Sequence, residues 1–412
     1  MKLYIDQDRL ASELDQLASI SEAPAPVVTR VVFTEADLRG RAFVTDLCEH
    51  AGLQVRADAV GNTFARWMGT EPTLPAVGTG SHIDAIPNAG RFDGTAGVLG
   101  GLEAIRALTR AGFRPRRSIE LLIFTAEEPT RFGLGCLGSR LLSGTLGNVA
   151  GEHLKDHQGT PLDGVRKAAG FRGTLESVRL PERYYHAFVE LHIEQGPLLE
   201  QSQIDAGIVT AIAAPASMRF WIDGQGGHAG AVLMQDRHDA FLAAAEIALR
   251  IESEAKASGG EDTVATTGVC DVFPGAINSI PSRVRLEADI RDIDLARRDG
   301  VLKRIASAVE QIAAHRGVTV RTEVLNADPP AQCHPLVIGA LTSACEVHGA
   351  SHQKMISRAY HDSLFMSLVA PTGMLFIPCR GGISHRPDEY SSPEAIARGT
   401  LILAEALAEL AE

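Results

Sequence analysis

None of the six cysteines of this 412-residue chain stands in a Cys-x-x-Cys pair. Neither a zinc knuckle nor a redox motif can be read from them, and Cys48, Cys136, Cys270, Cys333, Cys345 and Cys379 read as reduced, packing thiols. No apolar run approaches the ~18 residues a membrane-spanning helix needs, and the opening Met1-Lys2-Leu3-Tyr4-Ile5-Asp6 carries no apolar signal core. No block of five or six basic residues occurs. Lys and Arg number 39 against 51 Asp and Glu, a net charge of −12, so the chain lacks the electrostatic footprint of a DNA- or anionic-lipid-binding protein. A Gly-x-Ser-x-Gly elbow is also missing, which argues against a serine hydrolase. Repeats and low-complexity tracts are absent as well. The expectation is a cytoplasmic protein with no nucleic-acid or membrane partner. What is present is an ordinary globular composition, 45% hydrophobic, with enough length for two or three domains.

The first part alternates helix and strand patterns. Glu35 to His50 reads as a helix with Thr34 as N-cap and Gly52 placed to end it. Two strands, Leu74 to His82 and Ser118 to Thr125, flank a helix over Ala96 to Ala111, a βαβ unit that implies a sheet with helices on both faces. From Ala216 the order becomes strand (Met218–Ile222), helix (His238–Lys256), strand (Thr263–Phe273), strand (Arg283–Asp292), helix (Leu295–His315), strand (Val318–Leu325), which is the ferredoxin-like β-α-β-β-α-β pattern. Bounded by Ala213-Ala214-Pro215 and Asp328-Pro329-Pro330, it reads as an insertion. The predicted organisation is a catalytic α/β domain over 1–213 and 329–412, its mixed sheet covered on both faces, and an inserted lid or dimerisation domain over 214–328.

In open sheets of this kind ligands sit beyond the carboxyl ends of the strands, and the polar residues gather there. Gly80-Ser81-His82-Ile83-Asp84 ends one strand. On an extended segment His82 and Asp84 share a face, so Asp84 is a candidate to orient the imidazole. Asp93 follows in the turn Gly90-Arg91-Phe92-Asp93-Gly94. Glu127 and Glu128 end a second strand. Adjacent acids repel, and a cation beside them keeps both ionised while one accepts a proton; alone, Glu-Glu-Pro equally suits a helix start. His192 lies in an apolar strand, where a lone histidine is more often a core residue, and His385 in the glycine-rich Gly381-Gly382-Ile383-Ser384-His385. The set His82, Asp93, Glu128, His192 and His385 offers nitrogen and oxygen without thiolate, suited to Zn, Mn, Co or Ni. Elsewhere, Gly224-Gln225-Gly226-Gly227-His228-Ala229 matches a dinucleotide fingerprint with Glu246 downstream, but the next helix begins near Asp236, well after the loop, so a dehydrogenase is not expected.

Taken together, His-x-Asp, Asp-Gly, Glu-Glu, Glu190-Leu191-His192-Ile193-Glu194-Gln195-Gly196-Pro197, Gly226-Gly227-His228-Ala229-Gly230, Asn278-Ser279-Ile280-Pro281, Arg291-Asp292-Ile293, Tyr360-His361-Asp362-Ser363 and Gly382-Ile383-Ser384-His385 resemble the dinuclear-metal amidohydrolases of the M20 peptidase clan, over nearly the whole chain. Within the clan the resemblance is to the branch that cleaves carbamoyl and ureido compounds. It implies two divalent cations per subunit, Mn first and Zn, Co or Ni as alternatives. One would be held by His82, Asp93 and His192 and the other by Asp93, Glu128 and His385, with Asp93 bridging. It also implies Glu127 as general base, and Gln195, His228, Asn278, Arg291, Tyr360 and His361 as contacts to a small anionic ureido substrate, with His228 donating to the oxyanion across a homodimer. Hydrolysis of (S)-ureidoglycolate in ureide catabolism is the expected reaction, with allantoate or an N-carbamoyl amino acid as the alternative. Tyr360 stands where carbamoyl- and allantoate-cleaving members usually have glycine, and so bears on that choice.

Overall fold

The computed structural model describes residues 2–412, which form two compact units. The first comprises the chain up to Thr210 with Cys333–Ser357 and His361–Glu412; the second comprises Ala211–Gln332 with Arg358–Tyr360.

The first unit is built on a mixed sheet. Across it run Ala206–Ile212, Thr372–Ile377, Tyr185–Ile193, Ala76–His82, Ile119–Phe124, Thr63–Trp67 and Gln54–Ala57. The four strands from Thr372–Ile377 to Ile119–Phe124 are mutually parallel, and antiparallel strands flank them. Parallel strands need both faces covered, and these four are almost wholly buried and apolar. One face packs against the helices Gln7–Ser19, Thr95–Arg110, Pro335–Val347 and Pro393–Ala411 through residues such as Leu14, Leu99, Leu102, Leu341, Leu403 and Leu407. The other packs against Leu137–Ser143 and Leu162–Ala168 through Leu122, Phe124, Phe188, Leu141 and Val165. The helix Glu35–His50 starts where its sequence predicts, with the Thr34 hydroxyl accepting from the Asp37 amide.

Because the four central strands are parallel, their carboxyl ends all emerge on one edge. His82 is the last residue of its strand, Glu127 and Glu128 follow Phe124 by three and four residues, and His192 is the penultimate residue of its strand. The loop after Ile377 carries His385.

The second unit is an antiparallel sheet in the order Val264–Phe273, Arg283–Asp292, Ala214–Asp223, Thr319–Ala327, with the helices Ala240–Lys256 and Leu295–Arg316 packed on it. That is the predicted β-α-β-β-α-β order, and its core is the inward alternation of Phe220, Ile222, Val284, Leu286 and Ile290 against Ala243, Ile247, Val301 and Ile305. The strand Ala214–Asp223 begins earlier than its apolar pattern suggested. A two-stranded ribbon, Gly227–His228 with Ser279–Ile280, was not read from the sequence. After the glycine-rich loop come this ribbon and a 3-10 turn, and the helix starts only at Ala240. No helix N-terminus opens on that loop to receive a pyrophosphate, which disposes of the dinucleotide pattern. Among the described residues no helix is long and apolar enough to cross a membrane.

Candidate metal centre

In the first unit four side chains converge around the carboxylate of Asp93. Asp93 Oδ1 lies 3.1 Å from His192 Nε2 and 3.5 Å from His82 Nε2, while Oδ2 lies 3.1 Å from His385 Nε2, itself 3.5 Å from Glu128 Oε1. His82, Asp93 and His192 form one group whose ligand atoms all lie within 4.8 Å of one another, and Asp93, Glu128 and His385 form another. Ligand atoms that share one tetrahedral ion at about 2.1 Å are about 3.4 Å apart, so the spacing suits a cation in each group with Asp93 common to both.

The tautomers fit as well. His82 Nδ1 donates to the carbonyl of Asp84 and His192 Nδ1 to that of Ile193, each at 2.9 Å. A neutral imidazole whose Nδ1 holds the hydrogen presents its lone pair at Nε2, the atom that faces Asp93. Asp84 therefore acts on His82 through its backbone. Its carboxylate does something the sequence pattern did not suggest: Oδ1 and Oδ2 accept the amides of Glu127 and Glu128, at 3.3 and 3.1 Å, and lock the paired acids in place.

Charge in this pocket is strongly displaced. Burial pulls the His82 imidazole down, but Glu127, Asp93 and Asp84 around it hold it well above its usual value. His192 rises for the same reasons, with Asp93 overcoming burial. Burial pushes the Asp93 carboxyl up, and the three imidazoles more than reverse it, holding it well below the usual carboxylate range. Glu127 is driven well above its ordinary value by burial and by Glu128, Asp362 and Asp93, despite His82. Burial and Asp93 take Glu128 up to about 7. His385, held by Asp93 and Glu128 against burial, rises to about 9. The two raised acids, Glu127 and Glu128, are ones that nearby divalent cations would stabilise as carboxylates.

Backbone conformation adds strain at the same place. Ala126, Cys136, Gln195 and His385 all have positive φ, between 55° and 58°, and each is a ligand or candidate site residue or lies beside one. The turn at Ala126 is held by amides at the start of the Leu137–Ser143 helix: Cys136 donates to Glu127 O, Leu137 to Ala126 O and Gly138 to Thr125 O, at 2.8 to 2.9 Å. Gly94 also has positive φ, and a Cβ there would lie 2.5 Å from His82 Nε2, so the Asp-Gly pair is required by space as well as by conformation.

Of the other expected residues, Gln195 and His361 belong to the first unit. Gln195 Nε2 donates to Asp93 Oδ2 at 2.8 Å, and its Oε1 is buried with no hydrogen-bond partner among the described residues. His361 is buried with its ring 4.5 Å from that of His192. Glu190, His192 and His361 make a third cluster of possible ligands. The Glu190 oxygens, however, already accept Ser81 Oγ at 2.7 Å, Ser363 Oγ at 2.5 Å and the Ser363 amide at 3.1 Å, so this acid braces the strand ends.

The remaining four lie in the second unit. His228 and Asn278 meet on the small ribbon, where the Ala229 amide donates to Asn278 O at 2.9 Å; both side chains are exposed. The Gly230 amide donates to His228 Nδ1 at 3.1 Å, which makes Nε2 the hydrogen-bearing atom of a neutral ring. Arg291 is paired in fork fashion with Asp289, at 2.8 and 3.4 Å, so its guanidinium is less free to clamp a substrate than the sequence implied. Tyr360 donates its hydroxyl to Asp328 Oδ2 at 2.6 Å.

Sequence reasoning passed over Ser384 and Glu389. Glu389 Oε1 accepts the amides of Phe92 and Asp93, and Oε2 accepts the Ser384 hydroxyl. The one signal was an acid four residues after His385, which looked like an ordinary loop charge.

A mixed α/β frame that delivers two histidine–carboxylate groups with a shared aspartate to one sheet edge defines a class of hydrolase. The chain belongs to peptidase family M20/M25/M40, whose family model matches residues 78–409, and this family is metal-dependent. The chain is 52% identical to a ureidoglycolate hydrolase of Arabidopsis thaliana, over 99% of this chain and 87% of that protein. It is 39% identical to an N-carbamoyl-L-amino acid amidohydrolase of Geobacillus stearothermophilus, over 99% of each. Among solved structures, AtUAH in complex with glyoxylate superposes with a TM-score of 0.90 at 51% identity, covering 99% of this chain and 98% of that one.

Proposed function

We propose that this chain hydrolyses the ureido bond of (S)-ureidoglycolate to glyoxylate, ammonia and carbon dioxide, as a cytoplasmic homodimer in ureide catabolism. The observation that carries the reading is Asp93, whose two oxygens each face a separate set of donors. In this reading His82, Asp93 and His192 hold one divalent cation and Asp93, Glu128 and His385 the other. Mn suits these hard oxygen and imidazole donors, and Zn, Co or Ni would serve. Such ions polarise a carbonyl and acidify water at neutral pH.

The chain's own residues supply the rest. Glu127 lies 3.8 Å from His82 Nε2, buried and with an elevated pKa, as befits a group that accepts a proton from water and returns it to nitrogen. Water adds to the ureido carbonyl, the C–N bond breaks and ammonia leaves. The carbamate then loses carbon dioxide, and the remaining 2-hydroxyglycine releases a second ammonia to give glyoxylate. Gln195 Oε1 is an unspent acceptor for a substrate N–H. His228, with its hydrogen at Nε2, is the donor for the developing oxyanion, and Asn278, Arg291, Tyr360 and His361 complete the substrate contacts. The inserted domain, residues 214–328, is assigned the dimer contact and carries His228, Asn278 and Arg291.

Ammonia release from (S)-ureidoglycolate, allantoate and a panel of N-carbamoyl-L-amino acids, measured side by side on Mn-loaded protein, tests the assignment. Ureidoglycolate should turn over fastest. A faster reaction with either alternative would keep the metal chemistry and overturn the substrate.

A further inference from the structure

Two of the three imidazoles at the centre are fixed by their own backbone neighbourhood. His82 and His192 each anchor Nδ1 on a carbonyl and are buried. His385 differs in every respect: its side chain is 47% exposed, its φ is 58°, and no group among the described residues bonds its Nδ1. Something other than a carbonyl must hold it where Nε2 meets Asp93 and Glu128.

The adjacent residue supplies the link. Ser384 Oγ lies 2.8 Å from Glu389 Oε2 and 2.9 Å from Asp93 Oδ2. One hydroxyl proton serves one carboxylate at a time, so Ser384 is shared between them. Glu389, 4% exposed, accepts the Phe92 and Asp93 amides on its other oxygen, at 2.7 and 3.1 Å. One carboxylate thus grips the backbone of the bridging ligand and, through a serine, the segment bearing the loosest ligand. The fit is close: a Cβ at Gly90 would stand 2.3 Å from Glu389 Cβ. Phe92 and Tyr390 pack edge to face at 6.0 Å beside it.

We infer that Glu389 is a positioning residue which, acting through Ser384, sets the affinity of the cation site formed by Asp93, Glu128 and His385 and leaves the His82–Asp93–His192 site largely untouched. The inference rests on the two-cation reading above. It assigns Glu389 no contact with substrate or ion. Glu389→Gln keeps an oxygen for the two amides but turns a donor toward Ser384, which commits the serine proton to Asp93 Oδ2 in competition with a cation. Ser384→Ala cuts the same tether from the other end.

The test is calorimetric titration of Mn(II) into metal-free protein, with His385→Asn marking which equivalent belongs to the second site. Wild type should bind two equivalents. Glu389→Gln and Ser384→Ala should each weaken the equivalent that His385→Asn abolishes, by about 10- to 100-fold for the former, with the other equivalent unchanged. The double variant should be no weaker than the worse single one, because both act through one chain of bonds. Wild-type affinity at both equivalents in both variants would overturn the inference, as would parallel loss of both equivalents with a lowered Tm, the mark of a merely structural role. A wild-type chain that binds fewer than two equivalents would instead sink the two-cation reading itself.

Discussion

The edge of the parallel sheet in the first unit and the small ribbon of the second treat their polar residues in opposite ways. At the sheet edge carboxylates and imidazoles are packed together, most of them buried, and several are fixed by their neighbours: Nδ1 of His82 and of His192 by a carbonyl, Asp84 by two amides, Glu389 by two amides and a serine. On the ribbon His228 and Asn278 are exposed, and only a single amide decides the tautomer of the histidine. Buried ionisable groups shift strongly, since low dielectric raises the cost of every unpaired charge. In the proposed reading the cations sit at the sheet edge of the first unit, and His228 and Asn278 meet the substrate from exposed positions on the ribbon.

Four substitutions or conditions sharpen that contrast. Glu127→Gln removes the proposed proton carrier while keeping its shape, and should lower kcat by about 10²- to 10⁴-fold with both Mn equivalents retained in a calorimetric titration; loss of an equivalent would move Glu127 among the ligands. His228→Ala should cost about 10²- to 10³-fold in kcat, the scale of one oxyanion donor, again with metal stoichiometry intact. An effect on Mn binding there would erase the division of labour between the two regions.

The third prediction concerns pH. Asp93, and then Glu128, hold the His385 imidazole at about 9, so at pH 7.5 it carries a proton that a cation must displace. Mn binding at pH 7.5 should release at least one proton, because the His82 and His192 imidazoles are raised as well, and affinity should rise with pH by about tenfold or more per unit until pH passes roughly 9. Titrations in buffers of different ionisation enthalpy read this directly, and no proton release would show that His385 is not a ligand. The smallest effect belongs to Tyr360→Phe. Its hydroxyl is engaged by Asp328, so the loss should be about 1 kcal/mol of stability by chemical denaturation and less than about tenfold in kcat/KM for ureidoglycolate. A switch of preference toward allantoate would make Tyr360 a specificity residue after all.

Much of this was legible before any coordinates. The αβ alternation, the β-α-β-β-α-β order of the second unit and the convergence of His82, Asp93, Glu128, His192 and His385 all follow from periodicity and from the rule that parallel strands present their carboxyl ends together. The supporting residues were not legible. Ser384 and Glu389 lie in a loop whose course no local pattern encodes, and Glu190, two residues before His192, reads as a charge lost in an apolar strand until Ser81 and Ser363 are seen to satisfy it. The Gly227–His228 and Ser279–Ile280 pairing is two residues long, too short for an alternation to show.

What the sequence determined by itself is the inventory: which strands are buried on both faces, which residues follow them, and that the candidate ligands are nitrogen and oxygen without sulfur. Only the tertiary structure decided the protonation and aim of that inventory. Whether Asp84 serves His82 by its carboxylate or its carbonyl, which nitrogen of each imidazole is free, and how tightly His385 is held depend on groups distant in the chain, such as Glu389, 296 residues from Asp93. Hydrogen bonds act over about 3 Å and are blind to separation along the chain, so local pattern names the candidates and the fold alone sets their states.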